Sequence, residues 1–127
     1  MLTQLIINDL AIINKLNLDF KPGMTVLTGE TGAGKSILID ALGLVLGDRA
    51  DTNIIRGDSE KTDITAIFYV KDNVDVNKKL NALEIESSND ELFIRRTIRK
   101  DGRSRSYINY TPVPNQALKD IGENLIE

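Results

Sequence analysis

Apolar residues in the first half of the chain alternate with polar ones before they run together. Leu2 to Ile7 predicts a strand, and Leu16-Asn17-Leu18-Asp19-Phe20 has the period-two pattern of a half-buried strand. Lys21-Pro22-Gly23 supplies a turn into a β-prone run, Met24 to Thr28, so two strands precede that run closely enough to pair antiparallel. Ile37 to Leu46 is apolar almost all round apart from Asp40, which predicts a helix buried on most faces and closed by Gly47 at C′.

The second half returns to alternation. Residues 47–53 read as loop, and Ile54 to Lys61 is largely polar with a turn at Gly57-Asp58. Thr62 to Val70 predicts a strand with Ile64, Ala66, Phe68 and Val70 on one face, and Val76 to Glu86 a short helix with Val76, Leu80 and Leu83 inward. Glu91 to Lys100 and Arg103 to Tyr110 read as strands joined through Asp101-Gly102 in a two-residue type I′ turn, the second ending at Thr111-Pro112-Val113-Pro114. From Asn115 onward, Leu118, Ile121 and Leu125 recur at helical spacing, predicting a closing amphipathic helix. No repeat, linker or low-complexity segment interrupts this order, so a single domain is expected.

Composition narrows the chemistry. The 127 residues are 41% hydrophobic, enough for one core. With neither Cys nor His, disulfides, thiolate or histidine metal sites and histidine-based triads are excluded. The start lacks the basic flank and cleavage site of an export signal, and no apolar run reaches the roughly 18 to 20 residues that span a bilayer. A soluble cytoplasmic protein with no membrane partner is expected. A net charge of −3 argues against wholesale electrostatic binding of nucleic acid but permits a local basic patch.

Between the third strand-like run and the apolar helix lies Gly29-Glu30-Thr31-Gly32-Ala33-Gly34-Lys35-Ser36, which matches the phosphate-loop pattern GxxxxGKS. A loop that turns successive N–H groups toward a polyphosphate needs backbone conformations that a Cβ would obstruct, which Gly29, Gly32 and Gly34 permit. A helix starting near Gly34 and Lys35 would aim free N–H groups and its positive dipole end at the anion. Lys35 would reach the β and γ phosphates as the catalytic residue, and the Ser36 hydroxyl would ligate Mg²⁺. The candidate ATP contacts are Gly29, Glu30, Thr31, Gly32, Ala33, Gly34, Lys35, Ser36 and Ile37. A merely structural glycine-rich turn would leave the lysine and serine beside three glycines unexplained.

The wording from Phe20 to Leu42, Gly-Glu-Thr-Gly-Ala-Gly-Lys-Ser-Ile included, closely resembles the RecN family of bacterial DNA repair ATPases. Leu46-Gly47-Asp48-Arg49-Ala50, Gly102 to Asn109 and Pro112-Val113 look like the same family. That family is similar to the SMC (structural maintenance of chromosomes) group, whose ABC-type heads are assembled from the two ends of a long chain separated by a coiled coil. The resemblance implies an α/β P-loop NTPase fold: the N-terminal lobe of an ABC-type head, with antiparallel strands before the P-loop strand and a β-hairpin near the C-terminus. Residues 1–127 would be a single partial domain, lacking the coiled coil, signature motif, Walker B acids and C-terminal half. Implied partners are that missing half, a second head with ATP sandwiched between, and DNA in double-strand break repair in the bacterial cytoplasm, at the nucleoid. Where SMC proteins commonly carry an aromatic followed by Arg or Lys near the first turn, this chain has Leu10-Ala11-Ile12, closer to the RecN branch.

Arg95, Arg96, Arg99, Lys100, Arg103 and Arg105 crowd one predicted hairpin of an acidic chain. Alternation sets Arg95 and Arg99 on a face with Phe93, and Arg96 and Lys100 on the other with Ile94 and Ile98. Like charges across a hairpin repel, and DNA phosphate would relieve them; a solvated edge hairpin paired with the chain's own carboxylates is the plainer reading. Two further alternatives stand. A self-contained P-loop kinase or NTPase would need an acidic Mg²⁺-orienting residue at a strand end, and no apolar strand-like run ends in a convincing one. A DNA-binding module with a vestigial loop would bind DNA independently of Lys35.

Overall fold

The computed structural model describes residues 1–20, 32–86 and 90–125. β1 (Leu2–Leu10) and β2 (Ile13–Asp19) form the expected antiparallel pair, with Leu5 opposite Leu18 and Ile7 opposite Leu16. β1 runs past its apolar pattern because Asn8 still pairs with Lys15 on one side and Asp63 on the other. The turn at its end is tied down: the Ala11 N–H donates to the Ile54 carbonyl at 2.7 Å and the Arg56 N–H to the Asp9 carbonyl at 2.9 Å.

β3 (Lys61–Tyr69), β4 (Glu91–Arg99), β5 (Ser104–Ile108) and β6 (Thr111–Val113) complete a sheet of order β2-β1-β3-β4-β5-β6 in which every neighbouring pair is antiparallel. The β4–β5 hairpin is present, but its turn differs from the expected type I′. Gly102 alone has positive φ (93°), the Arg99 N–H bonds the Arg103 carbonyl at 2.8 Å, and the Gly102 N–H returns to the Arg99 carbonyl at 3.0 Å. That is a three-residue loop, in which Lys100 joins the turn and Asp101 accepts the Arg103 N–H. The two-residue turn with both φ positive lies instead at Asn109 (47°) and Tyr110 (69°), joining β5 to β6. Its sequence carries no glycine, so β6 was read as the end of the preceding strand.

One sheet face is apolar. Leu5 and Ile7, Ile64, Ala66 and Phe68, Leu92, Ile94 and Ile98, and Ile108 are all buried there. α1 (Gly32–Val45) packs on this face through Ala41, Leu44 and Val45, and α3 (Asn115–Gly122) adds Leu118 and Ile121. The expected near-complete burial of α1 is not met: Ile39 is 59% exposed and Asp40 lies beside it in solvent. The predicted strand from Met24 to Thr28 lies outside the described residues.

Gly47 ends α1 as expected. Its φ is +105°, its N–H bonds the Leu44 carbonyl at 3.1 Å, and the Asp48 N–H bonds the Gly43 carbonyl at 3.0 Å, the paired bonds of a Schellman cap. A Cβ at this position would stand 2.6 Å from Lys119 Cγ and 3.0 Å from the Lys119 nitrogen. Gly47→Ala therefore combines backbone strain with overlap, and a loss of about 1–3 kcal/mol in chemical denaturation is expected. An unchanged midpoint would contradict the cap assignment.

α2 (Val74–Ala82) stops short of its predicted end at Glu86. Leu83, expected inward, is 40% exposed, and Ile85 is buried instead. The reason is a second Schellman cap: Glu84 takes φ +58° and donates to the Asn81 carbonyl at 3.0 Å, while Ile85 donates to the Leu80 carbonyl at 2.9 Å. A glutamate in place of the usual glycine hid this stop from the sequence.

Candidate functional site

The second half of the phosphate-loop motif, Gly32 to Ser36, forms the first turn of α1, which begins two residues earlier than expected. Gly29, Glu30 and Thr31 lie outside the described residues. No acidic residue occupies that turn, so its free N–H groups and positive dipole end are not neutralised from within the helix. Ser36 is exposed on the turn, where a hydroxyl can reach a hydrated cation, and Ile37 packs against the core and seats it. These features suit a phosphate with its Mg²⁺.

The far end of α1 is held by Arg96 of β4. Its side chain is 4% exposed, and its guanidinium donates to the Leu44 carbonyl at 2.8 Å, to the Asp48 carbonyl and to Ser104 Oγ at 3.1 Å. A buried cation at the negative end of a helix dipole satisfies carbonyls that no helical N–H can reach. Burial pushes the Arg96 pKa below its usual value, and the nearby Asp48 carboxylate partly opposes this. Asn115 adds a bond from Nδ2 to the Gly47 carbonyl at 2.8 Å. Grouped with the hairpin's candidate DNA contacts by its charge, Arg96 lies instead in the core. The signal was in the alternation, which set it among Ile94 and Ile98, where a cation must be paired.

The other cations of the hairpin divide by face. Lys100, at the turn, donates to the Gly57 carbonyl at 3.1 Å. Arg95, Arg99 and Arg105 stand on the face of the sheet opposite the helices, and with Lys61, Arg103 and Tyr107 they line one depression. Register explains the grouping: Lys61 is opposite Arg99, Arg105 opposite Thr97, and Tyr107 opposite Arg95. Arg95 makes a bidentate pair with Asp63 (2.8 and 2.7 Å) and lies 5.6 Å from the centre of the Tyr107 ring. Arg103 is bound in the same way by Asp101, at 2.9 and 2.7 Å. These hydrogen bonds raise the pKa values of Arg95 and Arg103 and lower that of Asp101. Lys61, Arg99 and Arg105 make no side-chain hydrogen bond or ion pair among the described residues. Lys61 and Tyr107 were not singled out from sequence; only β3–β4 and β4–β5 pairing brings them to the arginines.

A sequence model of the family described as AAA domain matches residues 4–121. The chain is 47% identical over 126 residues to the DNA repair protein RecN of Vibrio cholerae, covering 99% of this chain and 23% of that protein. It is 36% identical over 127 residues to RecN of Bacillus subtilis, covering 100% of this chain and 22% of that protein. The chain thus spans about a quarter of the length of these relatives. Among solved structures, one from a study of ATP-driven dimerization and DNA-stimulated activation of SMC ATPases superposes with a TM-score of 0.73 at 22% identity, covering 98% of this chain and 78% of that one. The recombination mediator RecF with ATPrS gives 0.65 at 18% identity, covering 98% and 29%. These structural likenesses show the fold, an SMC-type ATPase head. Among the described residues, no helix is long and apolar enough to cross a membrane.

Proposed function

This chain belongs to the AAA domain family and, within it, to the RecN line of DNA repair proteins, and on that premise we propose that it forms the MgATP-binding part of an ATPase head acting in bacterial double-strand break repair. The observation that carries the reading is the start of α1 inside the motif, at Gly32, with no acid in its first turn. The backbone from Gly29 to Gly34 would cradle the polyphosphate, and Lys35 would neutralise the β and γ phosphates. The Ser36 hydroxyl would hold Mg²⁺, which when bound offsets charge on the phosphate oxygens. Arg96 and the Gly47 cap keep the helix seated on the sheet, so its N-terminus meets the nucleotide at a fixed height.

Hydrolysis is assigned to the assembled head. The exposed Ile39 on the outer side of α1 supports a complementary half-head packing there, with a second head closing over ATP. The cations of the β4–β5 hairpin, Arg96 excepted, are assigned to DNA, which places the protein's work at the nucleoid. Calorimetric titration of the purified chain tests the reading: ATP binding that weakens when EDTA removes Mg²⁺ is expected, with phosphate release close to background. Steady turnover by the chain alone would overturn the assignment of hydrolysis to an assembled head, and failure to bind ATP would overturn the nucleotide site itself.

A further inference from the structure

The face of the sheet opposite the helices carries rings as well as cations. Beyond the Arg95–Tyr107 pair, Phe93 packs against Tyr110 with ring centres 5.8 Å apart and planes inclined by 35°. Tyr110 is nevertheless 82% exposed. It is held there at φ +69°, a conformation uncommon for a residue other than Gly, Asn or Asp, in a turn whose partner Asn109 is locked on both sides. Asn109 Oδ1 accepts the Phe93 N–H at 2.8 Å and its Nδ2 donates to the Glu86 carbonyl at 2.7 Å. The turn thus fixes an aromatic plane in solvent at one end of the face, and Lys61, Arg99 and Arg105 stand free of partners at the other. Along β4 the distance from Phe93 to Arg99 is about 20 Å.

We infer that this face binds single-stranded DNA, its phosphates drawn to Lys61, Arg99 and Arg105 and a base stacked on Tyr110 over Phe93. The choice of DNA rests on the repair function proposed above; the choice of a single strand rests on the rings. Duplex ends its contact at phosphates and groove edges and leaves an exposed tyrosine unused, whereas unpaired bases offer π-faces to any aromatic platform. Asp63 and Asp101 sharpen the site by holding Arg95 and Arg103 in set positions, so the arginines left free define where phosphates go.

The test is fluorescence anisotropy of labelled oligodeoxythymidylate with the full chain and no nucleotide, at several salt concentrations. Arg99→Gln with Arg105→Gln keeps the aliphatic stems over Thr97; it is expected to weaken binding and flatten the log–log salt slope by about 0.7 for each cation removed. Tyr110→Asn retains a residue suited to positive φ while deleting the ring; it is expected to weaken binding about 5- to 100-fold with the salt slope unchanged. Oligodeoxythymidylate should bind more tightly than a duplex of equal length. A Tyr110→Asn variant that binds like wild type, a duplex bound as tightly as the single strand, oligouridylate bound in preference to the DNA, or no oligonucleotide binding at all would each overturn the inference. MgATP binding and the denaturation midpoint, followed in the same variants, confirm that they are folded. Failure of the nucleotide site would appear in the MgATP titration of the wild-type chain and not in this assay.

Discussion

Arg96→Met is expected to lower the stability of the chain by about 2–4 kcal/mol, read as a fall in the urea midpoint with little change in slope. The methionine fills much of the arginine's apolar volume, so the loss isolates the guanidinium. Without it the Leu44 and Asp48 carbonyls at the end of α1 and the Ser104 hydroxyl lose their donor together, and the Leu44 carbonyl is in a buried position. Buried acceptors left unpaired carry most of the cost of such a deletion. Arg96→Lys should recover only part, because one ammonium on a flexible stem cannot reproduce a planar fork aimed at separate acceptors. A midpoint within error of wild type for the methionine variant would show that this cation does not hold the helix to the sheet.

Lys35→Ala should weaken MgATP binding by about 2–4 kcal/mol, roughly 30- to 700-fold, measured by calorimetry. The motif assigns this lysine to the β and γ phosphates, and an anion deprived of its point charge keeps only the backbone N–H groups and the helix dipole. The denaturation midpoint, measured beside it, shows whether the loss is local. Retained affinity would refute the phosphate assignment. DNA binding that persists in a Lys35→Ala chain is expected, since the open face and the start of α1 are separate surfaces.

Much of the architecture was legible as pattern. The antiparallel pair before the motif, the β3 strand with Ile64, Ala66 and Phe68 inward, the β4–β5 hairpin and the closing helix with Leu118 and Ile121 all followed from periodicity, because one buried face imposes its period on the residues that fill it. Misreadings fell where a backbone conformation is taken by an unusual residue. Glu84 and Tyr110 adopt positive φ without being glycine, so the end of α2 and the turn into β6 carried no local mark. At Asp101-Gly102 the reverse held: a familiar dipeptide suggested a two-residue turn, and the Arg99–Arg103 backbone bond made it one residue longer.

The sequence by itself determined the phosphate-loop motif and the family, since a motif is a local arrangement and its residues name its chemistry. It also determined which residues share a face of each strand. The tertiary structure decided which of the crowded cations are free. Arg96 turned into the core to satisfy the end of a helix remote in sequence, Arg95 and Arg103 were taken by Asp63 and Asp101, and Lys61 arrived from another strand. Charge count along a chain is local, whereas pairing depends on which strands lie side by side, and that register is set by long-range burial that no window of sequence contains.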